Sequence, residues 1–261
     1  MNTTTLRRNA TNVAVPLVFG VVLLFAWQRF VEWRKIKPFI LPTPSTIWHE
    51  AVDKVHLLRA ASFVTGENAL VGLLLGIIVG TALAMVANRF RFLSELITPL
   101  AAAISAVPIV VIVSILNNMF PLGSQVARRL MVLIIVFFVV FVNVARGLAQ
   151  SDPTQVELMR SYAASERDVM RKVRLPNAMP FLFTAIKIAA PISVTTAFVS
   201  EYFGGTQDGL GQKIASSMSS SKFQLGWAYV GAACLVGLIF FAAANILEFL
   251  AVPWQRRRDS R

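Results

Sequence analysis

Charge is scarce in this sequence. Of its 261 residues 15% are Asp, Glu, Lys or Arg, against 56% hydrophobic, and the mean hydropathy is +0.65. A water-soluble domain of this length carries nearer to a quarter charged residues. The apolar residues also come in runs that approach or reach about 20, the length that crosses a hydrocarbon core. A soluble bundle would have to hide too many of them. Cysteine is nearly absent: Cys234 stands alone within an apolar run, which excludes an intrachain disulfide and predicts a small buried hydrophobe. The two histidines, His49 and His56, lie in a polar segment. Neither has a Cys or His partner at zinc-ligand spacing, so both are expected on the surface. A Gly-rich Lys-Ser/Thr phosphate loop is missing from the sequence as well. Acidic residues are few, 13 against 25 Lys and Arg, giving a net charge of +12 and a pI near 10.9. In a soluble protein that balance would suggest nucleic acid. In a membrane protein it reflects Lys and Arg held on the cytoplasmic side beside anionic lipid, so lipid is the expected partner and nucleic acid is not.

What is present is an all-α polytopic pattern of about six membrane-spanning helices. A polar tail, residues 1–12, precedes a first span at Val13–Val31, which no small-residue cleavage site follows. A polar stretch, Glu32–Thr65, holds the rigid turn Leu41-Pro42-Thr43-Pro44-Ser45, with Ser45 as the expected N-cap of a short helix through Asp53. Trp33 and Trp48 fit an interfacial aromatic belt. The second span, Gly66–Ala87, repeats glycine at 72, 76 and 80, a smooth face that lets another helix approach closely. The third, Leu96–Leu116, carries Pro99 and Pro108, and the fourth is Leu130–Leu148. The fifth, Met179–Phe203, ends at Gly204-Gly205; a short helix is expected at Leu210–Met218, and the sixth span is Trp227–Val252. The basic tail, residues 253–261, closes the chain, so the spanning domain is 13–252.

Six spans put both termini on one side. The basic 146–174 segment and Arg256-Arg257-Arg258 mark that side as cytoplasmic, although Arg128-Arg129 beside the fourth span counts against it. The polar segment 149–176 lies on the same side. Pro153 suits a first helical position with Asp152 as N-cap. Ala164-Ser165 makes a break, and Ser165 with Asp168 resembles a capping box for a second helix that gathers Val169, Met170 and Val173. Two short amphipathic helices meeting at a corner form a knob that suits a groove on a soluble partner. An ordinary loop lying on the lipid surface fits the same residues equally well.

This stretch resembles the coupling-helix signature of ABC-importer permeases: Glu-Ala-Ala, three residues, Gly, nine residues, Ile, one residue, Leu-Pro. Glu157 matches the Glu, Ala163 stands for the Gly, Val173 for the Ile, and Leu175-Pro176 match the closing pair. Leu158-Met159 replace the two alanines, and Ala164-Ser165 match the family's frequent Gly-Ala-Ser. The chain after residue 13 is similar to one branch, the permeases for nitrate, taurine, aliphatic sulfonates and thiamine-precursor pyrimidines. The similarity rests on Leu41-Pro42-Thr43-Pro44-Ser45, Val107-Pro108, Ala197-Phe198-Val199-Ser200-Glu201-Tyr202-Phe203-Gly204, Gly209-Leu210-Gly211 and Pro253-Trp254. Where that branch usually has Trp-Phe-Gly-Ile-Gly after the third helix, this chain has Leu116–Gly123, which weakens any transfer of substrate identity. The resemblance implies a multi-pass permease in a prokaryotic plasma or inner membrane, with two ATP-binding subunits, a second identical or homologous permease and an extracytoplasmic substrate-binding protein. It implies no cofactor on this chain, ATP and Mg being used by the partner subunits. The implied ATPase-coupling residues are Glu157, Arg160, Ser161, Tyr162, Ala163, Ala164, Ser165 and Arg167.

Polar side chains in lipid face a bundle interior or a wet cavity. The expected substrate path is therefore Ser105, Ser114, Asn117, Asn118, Asn143, Ser193, Thr195, Thr196, Ser200 and Glu201. The competing expectation is that each Ser or Thr bonds back to its own helix and that Asn143 joins two helices. The amides of Asn117 and Asn118 suit an uncharged heterocycle better than an anion. A membrane-embedded enzyme would need converging acids, bases or metal ligands. The spans offer only Lys187, Glu201 and Glu248, far apart in sequence. A channel would need a filter or charge ring, and neither is visible; no catalytic or metal residue is expected.

Overall fold

The computed structural model describes residues 3–90, 107–121, 123–204 and 208–252, with side chains from residue 14 onward apart from 16 and 17. Every regular element among them is helical: α1 (Thr3–Trp33), α2 (Pro44–Asp53), α3 (Val55–Arg89), α4 (Ile109–Met119), α5 (Val126–Ala149), α6 (Pro153–Ser161), α7 (Glu166–Tyr202), α8 (Leu210–Ser219) and α9 (Phe223–Ala251). Among the described residues α3, α5, α7 and α9 are long and apolar enough to cross a membrane. Helix α1 covers the expected first span but starts at Thr3, with no break at residue 13. The first eleven residues of the expected third span (96–106, with Pro99 and Ser105), the tail 253–261 with Pro253-Trp254, and Gln207 lie outside the described residues; α4 is the remainder of that span, with Pro108 at its N-cap.

The glycine stripe sets the core. A Cβ at Gly72 would collide with Val132, at Gly76 it would lie 2.7 Å from Val136 Cβ, and at Gly80 2.9 Å from the Phe137 carbonyl and 3.0 Å from Val140 Cβ. Glycines four apart on α3 thus meet valines four apart on α5, the spacing of one helix face. Residue numbers rise together along both helices, so α3 and α5 run parallel. Helix α7 runs the opposite way: Gly147, near the end of α5, meets Ala178 and Phe181, near the start of the α7 span. Helix α9 seats its first turns on α1 and α8, with Trp27 edge-on to Trp227 at 5.5 Å and Gly226 under Met218.

The structure departs from the sequence expectations in several places. Helix α3 begins eleven residues before Gly66, because Val55–Thr65 contains no Pro or Gly to stop it. The N-cap of α2 is Thr43, whose hydroxyl accepts from Thr46 N at 3.4 Å, since Pro44 is preorganised for the first helical position. Ser45 instead bonds to Gln28 of α1. Cys234 is exposed, on the α9 face that also shows Leu235, Leu238 and Ile239. His49 and His56 are exposed as expected, and Trp33 and Trp48 are exposed too.

Candidate functional site

Two polar constructions sit at opposite ends of the bundle. The first is a corner between α6 and α7. Asp152 caps α6, accepting from Thr154 N at 2.9 Å, and Pro153 takes the first turn. The helix ends when Ala163 adopts φ +53°. Its N–H bonds to the Arg160 carbonyl (2.9 Å) and the Ala164 N–H reaches back to the Met159 carbonyl (3.0 Å). This pair of bonds is the Schellman motif, whose left-handed position usually holds glycine. Ser165 then caps α7, its hydroxyl accepting from Asp168 N at 3.2 Å and donating to Asp168 Oδ2 at 2.6 Å. An Arg160–Glu166 ion pair of 3.2 Å closes the outside of the corner.

The chain does not break again. A π-helical turn, Met170–Arg174, joins the capped segment to the span, so α7 is one rod of 37 residues. Pro176 explains the wide turn: it has no N–H to donate and its ring would clash with a regular α-helical carbonyl four residues back. Buried Val169 and Val173 seat this end, and Asn177 Nδ2 donates to the Gly147 carbonyl at 2.9 Å. The corner itself stays bare: Glu157, Arg160, Ser161, Tyr162, Ala163, Ser165 and Arg167 are exposed and Ala164 is half-buried. Tyr162 is 78% exposed and Leu158 56%, an apolar pair on a charged, rigid tip.

The second construction is at the other end and is fully buried. Glu201, in the last turn of α7, is 0% exposed. Its Oε2 accepts from Thr65 Oγ1 (2.7 Å) and Gly211 N (3.2 Å), and its Oε1 from Asn68 Nδ2 (3.5 Å). Thr65 Oγ1 also accepts from Leu210 N at 2.8 Å, so one hydroxyl links α7 to α8. Asn68 Nδ2 donates to Gln125 Oε1 (2.8 Å), which also accepts from Arg128 (2.9 Å). Buried Arg128 lies in the field of Glu201. Beside it, Arg129 bonds to Asn68 Oδ1 (3.2 Å) and pairs with Glu67 (2.6 Å). Glycine is required here: a Cβ on Gly209 would strike the Glu201 carboxylate, and one on Gly211 would strike the Phe198 carbonyl.

Four of the expected path residues bond back to their own helix. Ser114 is exposed and donates to the Val110 carbonyl (2.9 Å), Thr195 is exposed and donates to Pro191 (3.2 Å), and buried Ser193 donates to Ala190 (2.7 Å). Asn143 is half-buried and donates to Val139 (2.8 Å). Thr196 and Ser200 are buried, Asn117 is half-buried, Asn118 is exposed, and Ser105 lies outside the described residues. Lys187 and Glu248, far apart in sequence, form a 2.7 Å ion pair between α7 and α9. Sequence reasoning missed Thr65 and Asn68 as partners of Glu201, and Gln125 and Arg128 behind Asn68. The available signal was one acid and an arginine pair at span ends assigned to the same side. No cluster of three metal-ligating side chains occurs among the described residues.

Residues 72–258 match the model of the family described as binding-protein-dependent transport system inner membrane component. The chain belongs to this family. It is a multi-pass membrane protein, the permease subunit of an ABC importer, and not itself an ATPase. The formylaminopyrimidine transport permease protein ThiX of Halalkalibacterium halodurans is 25% identical over 251 residues, covering 93% of this permease and 96% of that protein. The putative aliphatic sulfonates transport permease protein SsuC of Bacillus subtilis is 23% identical over 243 residues, covering 92% and 87%. Such relatives place the permease in the nitrate, taurine, sulfonate and thiamine-precursor branch. Its fold is that of a chain in the crystal structure of an amino acid ABC transporter with histidines, at 16% identity, TM-score 0.62, and coverage of 76% of this permease and 95% of that chain. Membership implies ATPase partners and a binding protein.

Proposed function

We propose that the α6–α7 corner is the cytoplasmic docking tip for the ATPase subunits, with both chain termini on that side. The exposed Tyr162 and Leu158 on a corner fixed by two caps and a Schellman turn carry this reading. A tip whose backbone is already ordered binds without an added ordering cost. Glu157 and Arg167 flank it with charge, while Arg160 holds the corner through Glu166. Two permeases, identical or homologous, would present two such tips to two ATPase subunits. Glu157→Lys is expected to lower recovery of the ATPase subunit with the affinity-purified permease about tenfold, near 1.4 kcal/mol. Unchanged recovery and unchanged transport-coupled ATP hydrolysis would remove Glu157 from the docking surface.

At the opposite end, the segments 41–53 and 204–221 are the proposed seat of the extracytoplasmic binding protein. Crosslinks from Lys213, or from Gln207 in the undescribed stretch, to that protein are expected; their absence in an active complex rejects the seat.

For the solute, the proposal is a small neutral ring or amide compound that passes Ser105, Ser114, Asn117, Asn118, Asn143, Ser193, Thr195, Thr196 and Ser200. Its support is charge compensation: Lys187 is paired with Glu248, and Arg128 donates to Gln125 in the network that holds Glu201. Neither cation is left to neutralise an anion in transit. The similarity to a formylaminopyrimidine permease points the same way. ATP-dependent uptake by proteoliposomes is expected for a pyrimidine and not for taurine or nitrate, and the reverse pattern rejects this solute class.

A further inference from the structure

Glu201 was expected on the substrate path, yet it has no exposed surface and both its oxygens are taken by donors of the protein itself. Buried carboxylates are costly unless fully hydrogen-bonded, so a group of this kind is kept for what it holds. It gathers four elements at one point: α3 directly through Thr65 and Asn68, α5 at one remove through its N-cap Gln125 and Arg128, α7 through its own backbone, and α8 through the N–H of Gly211 and, by way of Thr65, that of Leu210. The rod that carries it runs without interruption to the α6–α7 corner.

We propose that Glu201, with the Thr65 hydroxyl as its relay, is a positioning residue that fixes α8 to the end of the α7 rod. Movement of the outer loop and movement of the coupling corner are then one motion. This extends the corner reading above and rests on it. The relay is specific: Thr65 Oγ1 donates to Glu201 at 2.7 Å and accepts from Leu210 N at 2.8 Å. A serine reproduces both bonds and a valine neither. Contiguity alone is no demonstration of coupling, so the test must read α8 while the ATPase end is changed.

Cys234, the one native cysteine, is replaced by alanine, and Ser217→Cys on the buried side of α8 serves as reporter. The complex is co-purified with its ATPase subunits in lipid nanodiscs. Its labelling by a maleimide is timed with and without MgATP-vanadate trapping. In the parent and in Thr65→Ser, trapping is expected to change the labelling rate. In Thr65→Val the reporter is expected to label about tenfold faster, as for a locally opened segment, and to ignore the nucleotide. A parent that ignores trapping, or a Thr65→Val variant that keeps slow labelling or keeps the nucleotide response, overturns the proposal. Should Thr65→Val fail to assemble, amide hydrogen exchange of Leu210 and Gly211 in the unmodified complex decides. Protection that changes on trapping supports the proposal, and unchanged protection overturns it. ATPase recovery with Glu157→Lys is a separate observable, so failure of the corner reading is distinguishable from failure of this one.

Discussion

Ala163 holds a left-handed backbone, φ +53°, at the position that closes the Schellman turn. For an L-residue with a Cβ this conformation costs roughly 1–2 kcal/mol, and glycine avoids it at some loss of chain entropy. Ala163→Gly is therefore expected to leave ATPase recovery and the thermal midpoint equal or slightly higher. Ala163→Val, β-branched at positive φ, should cost a further 1 kcal/mol or about that, seen as reduced recovery of the assembled complex. The Lys187–Glu248 pair makes a second prediction at this scale. The pair lies between two spans with 29% and 23% of its side chains accessible, so the roughly 3–5 kcal/mol lost on breaking a fully buried pair is an upper bound. Lys187→Met and Glu248→Lys should each lower the thermal midpoint of the purified permease, and Lys187→Glu combined with Glu248→Lys should restore most of the loss. Failure of the swap to restore it would show that the pair is incidental. In sequence these two residues looked unrelated, because the α7–α9 contact that joins them is antiparallel and long-range.

Helix contacts were more legible than side-chain partners, and glycine spacing shows why. A repeat of glycine at 72, 76 and 80 encodes a close helix approach directly, since the absence of a side chain acts on any neighbour. The neighbour is α5, through Val132, Val136 and Val140. Gly76→Ala places a methyl 2.7 Å from Val136 Cβ and 3.1 Å from the Leu133 carbonyl. Separating two backbones to admit it should cost about 1–3 kcal/mol. Gly237→Ala on α9 is the matched control: nothing lies within 4 Å of its added Cβ, so it should be neutral or gain up to about 1 kcal/mol from helix propensity. Thermal midpoints of the two variants in one detergent check the contrast, and equal effects would mean that the stripe is not a packing surface. The short capped elements were also readable, because Asp152-Pro153 and Ser165 with Asp168 act on backbone N–H groups within three residues. The Glu201 network was not readable in this way. Its partners come from residues 65–68, 125–128 and 210–211, and only the folded bundle brings them together. Arg128-Arg129, which looked like misplaced topological charge, are parts of that network.

At the scale of the molecule, the two ends are joined by α7, and the π-helical turn at Met170–Arg174 decides how the corner is aimed. A π-turn accommodates one extra residue in the helical path, and one residue of α-helix is a rotation of about 100°. The side chains of the 152–169 segment therefore face directions that a regular helix would not give them. Leu175 N bonds five residues back to the Met170 carbonyl, and Pro176 donates nothing, so the wide turn is the arrangement the proline permits. Replacing it with alanine restores a donor and removes the ring clash, which lets the turn relax to α-helical pairing. Asn177 on Gly147 and the Ala178–Gly147 contact still anchor the span below it. Pro176→Ala is accordingly expected to leave the thermal midpoint of the isolated permease within about 1 kcal/mol of the parent while reducing ATPase recovery several-fold. The corner would be intact but turned away from its partner. If recovery stays at the parental level while hydrogen exchange shows the turn regularised, the direction of the corner is not what the π-turn serves.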